Sequence, residues 1–127
     1  MNEELQQMIS CDSKGNQLYG GKKYKLHLPP EIPASDFWSI VVYDLQDRLL
    51  INTDHQWPSV HSGNKKLIYN SDGSVDAWFG PDCIEGKESN WVKTIPGCQW
   101  YMILRLYNPL ETWFNKKWQH GEIEEVI

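Results

Sequence analysis

Arg105 is the residue whose position most demands a chemical explanation. It lies within residues 100–108, the longest apolar run of the chain. At period two, Trp100, Met102, Leu104 and Leu106 share one face; Tyr101, Ile103, Arg105 and Tyr107 share the other. A guanidinium in such a run must fork onto a carboxylate or carbonyls, or reach water along its stem. Asp36, Asp44, Asp76 or a strand-end carbonyl are the expected internal partners. The functional alternative is a clamp for a ligand carboxylate at the rim of the fold.

His55 and His61 share one polar loop, and His27 sits on the solvent side of a strand. A metal site needs three or four converging ligands, for example these histidines with Asp54 or Asp82. The spacing offers neither a His-x-His pair nor an adjacent ligand cluster, so exposed loop histidines and no metal are expected. Asp72 beside Gly73 and Asp12 near Gly15 read as turn formers. Glu111 reads as a helix cap, leaving Asp82 and Glu85 as the carboxylates near a ligand-facing rim. No serine sits in a Gly-x-Ser-x-Gly elbow, and Gly20-Gly21 precedes a strand rather than opening a phosphate-binding helix. No cofactor is expected.

The aromatics divide into two sets. Trp38 and Trp100 lie within strands and are expected in the core. Trp57, Trp91, Trp113 and Trp118 lie in or beside loops. Together on one face they form a platform for a sugar ring, an apolar ligand or a protein; separately they lid an open end. A sticky face points to a homodimer or a neighbouring domain as partner.

The chain has 127 residues, enough for one domain with its own core. Seven tryptophans, six tyrosines and three phenylalanines favour sheet over helix. A net charge of −5, with lysines in scattered pairs, gives no reason to expect nucleic-acid binding. Residues 1–10 lack the apolar centre of a signal peptide and no segment reaches membrane-span length, so a cytoplasmic location is expected. Cys11, Cys83 and Cys98 have no metal or redox spacing; reduced thiols are the simplest reading, with one disulfide plus a free thiol as the alternative.

The apolar periodicity must come from elements that position these groups. Residues 1–9 fit a short helix with Leu5, Met8 and Ile9 on one stripe, making 1–11 a linker remnant ahead of a domain over 12–127. Residues 24–28, 37–43, 48–52, 67–70, 75–79 and 100–108 read as strands. Asp72-Gly73 is a hairpin signal between 67–70 and 75–79. Asn108-Pro109-Leu110-Glu111 fits a helix start, with Asn108 as cap and Glu111 closing a capping box. Residues 53–66 and 80–89 are long loops, and 122–127 is a terminal edge strand. About seven to nine strands without alternating helices predict an all-β, antiparallel, jelly-roll-like sandwich with one or two short helices.

Several landmarks fall in a recognisable order: Asp12-x-x-Gly15-x-x-Leu18-x-Gly20, Tyr24-x-Leu26, Pro30 before Phe37-Trp38-Ser39, and Tyr43-Asp44. Leu67-x-Tyr69-Asn70-x-Asp72-Gly73-Ser74, Asn90-Trp91, Pro96-Gly97 and Arg105-Leu106-Tyr107-x-Pro109 follow. Over residues 12–125 this resembles the bacterial domain of unknown function DUF1214, which usually follows a DUF1254 domain in larger proteins. The resemblance implies a jelly-roll-like sandwich and brings no substrate, cofactor or catalytic residue. Trp38, Asn90, Trp91, Arg105 and Tyr107 stand at motif positions. The chain departs from the pattern at Val92-Lys93, where Leu-Pro is common, and at Trp57-Pro58, where an arginine is.

The expectation is a non-catalytic binding module with Arg105, Trp57, Trp91, Asn90, His55, His61 and Asp82 as ligand-binding candidates. The alternative is a hydrolase-like enzyme for a small or carbohydrate-like substrate, built on loops 53–66 and 80–91. Convergence of the histidines, Asp82 or Glu85, and Arg105 in one pocket separates the two.

Overall fold

The structure, a computed structural model, describes residues 4–46, 59–83 and 86–126, with the Asp36 side chain also outside the described set. In chain order the strands are β1 (Glu4–Ile9), β2 (Tyr24–Leu28), β3 (Ala34–Asp44), β4 (Ser59–His61), β5 (Val75–Gly80), β6 (Trp91–Lys93), β7 (Trp100–Pro109) and β8 (Ile123–Glu125), with a four-residue helix α1 (Glu111–Phe114) between the last two. One sheet has the order β1-β7-β3-β4 and the other β6-β5-β2-β8. All neighbours are antiparallel except β5 and β6. The result is a mostly antiparallel, jelly-roll-like β-sandwich.

Alternation along the strands decides what fills it. Trp100, Met102, Leu104 and Leu106 of β7 and Trp38, Ile40 and Val42 of β3 point inward from the first sheet. Tyr24, Leu26 and Leu28 of β2 and Val75, Ala77 and Phe79 of β5 meet them from the second. Trp100 is the pivot: Tyr24 meets its ring edge-on at 5.6 Å and Phe79 stacks on it at 4.8 Å. Burial raises the Tyr24 pKa, and its hydroxyl accepts the backbone N–H of Tyr19 at 3.1 Å.

Three expectations require correction. Residues 4–9 form a strand, not a helix: β1 pairs along its whole length with β7 and belongs to the sandwich. An amphipathic hexapeptide satisfies few helical hydrogen bonds alone, whereas the edge of β7 offers it a ladder. Residues 67–70 are not a strand, so no hairpin forms. A tight turn closes instead, through Asn70 N–H to Ser74 O at 2.8 Å and Gly73 N–H to Asn70 O at 2.9 Å. Asn108 does not cap α1. The ladder continues to Pro109 opposite Ala34, Leu110 N–H donates to Pro33 O at 2.9 Å, and Glu111 becomes the first helical residue rather than the third. The strand expected over 48–52 lies outside the described residues.

The chain directions define two ends. Gly20 and Cys98 meet at one, where Gly20 N–H donates to Cys98 O at 2.7 Å. At the other, residues 29–33 and the α1 segment meet, where the Trp118 indole donates to Pro29 O at 3.1 Å. No helix among the described residues is long and apolar enough to cross a membrane.

Candidate functional site

The outer face of the first sheet carries the polar groups that alternation expels from the core. Strand register aligns Gln6 of β1 with Arg105 of β7, Arg105 with Ser39 of β3, and Ser39 with His61 of β4. The four form one row, and their strand neighbours Leu104, Leu106, Ile40 and Val60 are all buried on the opposite face. On β7 and β3 the flanking pairs are aromatic or aliphatic, Tyr107 with Phe37 on one side and Ile103 with Val41 on the other, while Glu4 and Ser59 extend these rows on the edge strands. Phe37 packs on His61 at 5.7 Å and on Tyr107 at 5.4 Å, while Tyr43 stacks on Tyr101 at 5.4 Å. Ser39 is only 6% exposed although it faces outward.

Arg105 does not fork onto Asp44 or Asp76; the Asp36 side chain lies outside the described residues. Arg105 Nη2 donates to the Tyr43 hydroxyl at 2.6 Å, and its Nη1 lies 3.6 Å from Glu4 Oε1. Asp44 instead accepts the Gln46 N–H at 2.8 Å, and Asp76 is engaged on the second sheet. Burial opposes the charge on Arg105, but Tyr107, Tyr43 and Glu4 outweigh it and raise its pKa. Arg105 Nε and His61 Nδ1 are buried without a hydrogen-bond partner. The two nitrogens lie in one row on either side of a hydroxyl and among aromatic rings, closed to solvent as are the unpartnered Trp78 and Trp100 indole nitrogens.

The other predicted residues go elsewhere. Asn90 is a buried clasp: its Oδ1 accepts Ile68 N–H at 2.9 Å, and its Nδ2 donates to Ile68 O at 2.9 Å and Asp76 O at 3.0 Å. Trp91 stands on the second sheet beside Trp78, with its indole donating to Gly80 O at 3.0 Å. Asp82 is exposed on the loop after β5. His55 and Trp57 lie outside the described residues. Arg105 and His61 therefore share a face, while Asp82 belongs to the other sheet; the described residues do not assemble the hydrolase constellation. Trp118 is buried and Trp113 packs on it at 6.1 Å, so this pair lids the sandwich end.

Reading from sequence overlooked Ser39, Tyr43 and Phe37 as site residues, and Trp78 as the neighbour of Trp91. A signal for the first three existed: they share one period-two face of β3, as Arg105 and Tyr107 do on β7. Register between the two strands, invisible locally, joins the faces.

The fold is a mostly antiparallel β-sandwich whose first sheet carries this outward-facing row. The chain belongs to the family described as protein of unknown function DUF1214, whose pattern matches residues 3–111. No curated protein matches it. It is similar to the crystal structure of the VPA0106 protein from Vibrio parahaemolyticus, at 22% identity and a TM-score of 0.83, over 98% of this chain and 31% of that one. A putative uncharacterized protein from Burkholderia cenocepacia is similar at 17% identity and a TM-score of 0.59, over 97% of this chain and 29% of that one. The chain thus spans under a third of the length of these solved proteins, and at such identities the likeness speaks to fold alone.

Proposed function

We propose that the domain is a non-catalytic binding module that takes a carboxylate with an aromatic or apolar body on the outer face of the first sheet. The observation that supports this reading is the row of Arg105, Ser39 and His61, where Arg105 Nε and His61 Nδ1 lack partners inside an aromatic surround. Glu4 approaches Nη1 at only 3.6 Å, so a carboxylate offering shorter, paired bonds displaces it. Ser39 contributes a hydroxyl donor, and Phe37 and Tyr107 contribute ring faces for the ligand body.

Benzoate titration followed by amide NMR tests the proposal, with benzamide as the neutral control. Saturable shifts at residues 39, 61 and 105 with benzoate, absent with benzamide and lost in Arg105→Gln, are expected. Equal responses to the two probes, or an unchanged response in Arg105→Gln, would overturn it.

A further inference from the structure

The α1 end of the sandwich holds a cavity of about 790 Å³ that none of Arg105, Ser39 and His61 lines. One wall is the segment 29–33 and the other is the segment 110–119. They are pinned together at both ends, by Trp118 Nε1 to Pro29 O at 3.1 Å and by Leu110 N–H to Pro33 O at 2.9 Å. Trp118 N–H donates to Thr112 O at 3.0 Å and folds the second wall back on itself. Trp118, Leu110 and Pro30 supply apolar lining, while Glu31 brings a carboxylate to one wall and Lys116 and Lys117 bring ammonium groups to the other. A neighbouring cavity of about 360 Å³ shares Lys116 and Trp118.

The backbone under these charges is unusual. Glu31 has φ 61° and Lys116 has φ 62°, the left-handed region that L-residues avoid. Gly15, Gly73, Gly86 and Gly97 occupy the same positive-φ half of the map without penalty, and Asn108 at φ 54° is the third non-glycine there among the described residues. At two facing positions of one cavity the chain instead keeps opposite charges in strained conformations. Among the described residues neither the Glu31 carboxylate nor the Lys116 ammonium has a hydrogen-bond or ion-pair partner. Lys116 follows the C-cap of α1, where such a conformation is common, whereas Glu31 has no helix end to account for it.

We infer that this cleft is a second binding site, for a zwitterion with an apolar body, such as a short peptide with free ends. Its ammonium pairs with Glu31, its carboxylate with Lys116 and Lys117, and its side chains cover Trp118, Leu110 and Pro30. The cavity volume lies within the range of ordinary small-ligand sites.

The test uses the dipeptide leucyl-leucine, its N-acetyl form and its C-terminal amide, titrated into the whole chain by amide NMR. The free dipeptide is expected to shift residues 29–33 and 110–119 saturably, with each blocked form weaker by about tenfold, as loss of one charge-assisted contact implies. Glu31→Gln should remove the preference for a free amine, and Lys116→Gln should reduce the preference for a free carboxylate. Glu31→Gly and Lys116→Gly, which relieve the backbone, should lose binding while the thermal midpoint holds or rises. Equal binding of the three probes, no saturable shift with the free dipeptide, or a fall in thermal midpoint in both glycine variants overturns the assignment.

Discussion

The Arg105 guanidinium reaches the Tyr43 hydroxyl at 2.6 Å although Arg105 pairs with Ser39, two side-chain rows away along β3. The two long side chains therefore meet across the row of Ile103 and Val41 that separates them in the register. Tyr43 makes the shorter contact, with Glu4 at 3.6 Å and Tyr107 also favouring the charge.

Tyr43→Phe should remove a hydrogen bond to a charged donor and lower stability by about 1.5 kcal/mol, the low end for such bonds because the site is partly open to water. Benzoate affinity should fall as well, because the guanidinium loses its orientation. A urea midpoint and a benzoate titration read the two effects separately. Unchanged affinity with lowered stability would assign Tyr43 a purely structural role.

Arg105→Lys should abolish benzoate binding nearly as completely as Arg105→Gln. An ammonium keeps the charge but not the planar fork, and it cannot address a carboxylate with two parallel donors. Full retention of affinity in the lysine variant would mean that charge alone suffices there.

Asn90→Ala should be among the most damaging polar substitutions. Three bonds disappear at once, stranding the N–H and carbonyl of Ile68 and the carbonyl of Asp76 beside the buried site. A loss of about 3 kcal/mol in urea unfolding follows from leaving such groups unmet. Asn90→Asp should not rescue it, because a carboxylate cannot donate to either carbonyl.

Gly20→Ala and Gly15→Ala should separate steric demand from backbone demand. A Cβ at Gly20 would stand 1.9 Å from Ile95 O, where Thr94 also donates to Gly20 O at 2.7 Å. Backbone cannot yield there, so this variant should fail to reach the native state in expression and circular-dichroism assays. A Cβ at Gly15 meets nothing within 4 Å, and only its φ of 82° resists, for a loss of about 1 kcal/mol. Comparable stability of the two variants would contradict the close packing of residue 20 on residue 95.

The differences between these sites explain what could be read from the chain. The inner faces of β2, β3 and β7 follow from local alternation, which is a property of neighbouring residues. Glu4–Ile9 is ambiguous because Leu5, Met8 and Ile9 fit a helical stripe as well as a half-buried strand; β7, about a hundred residues away, decides it. Residues 67–70 have strand-forming types, but the Asn90 side chain takes both backbone groups of Ile68, and no local pattern announces that clasp. Arg105 was identifiable as a site residue from its misfit in an apolar run. Ser39 and Tyr43 joined it only through register and the direction of one long side chain.

Acid should weaken the fold partly through Asp76. Burial alone would raise its pKa, but His27 Nδ1 at 2.7 Å from Oδ1, Asn70 Nδ2 donating to Oδ2 at 3.2 Å, and the charge of Lys25 together hold it below the ordinary value. A folded pKa below the unfolded one, which is about 3.9, means that the native state keeps this carboxylate ionised more readily than the open chain does. Its contribution is therefore complete above the unfolded value and disappears as pH falls through the folded one. Asp72 shifts in the same direction, chiefly through the Ser74 hydroxyl that donates to it, and strengthens the trend. Asp76→Asn should lower stability at pH 7 and flatten the decline toward acid, so that variant and parent converge near pH 2. Urea unfolding of both proteins across that range measures the convergence. A gap as wide at pH 2 as at pH 7 would mean that the carboxylate charge plays no part in holding β2 against β5.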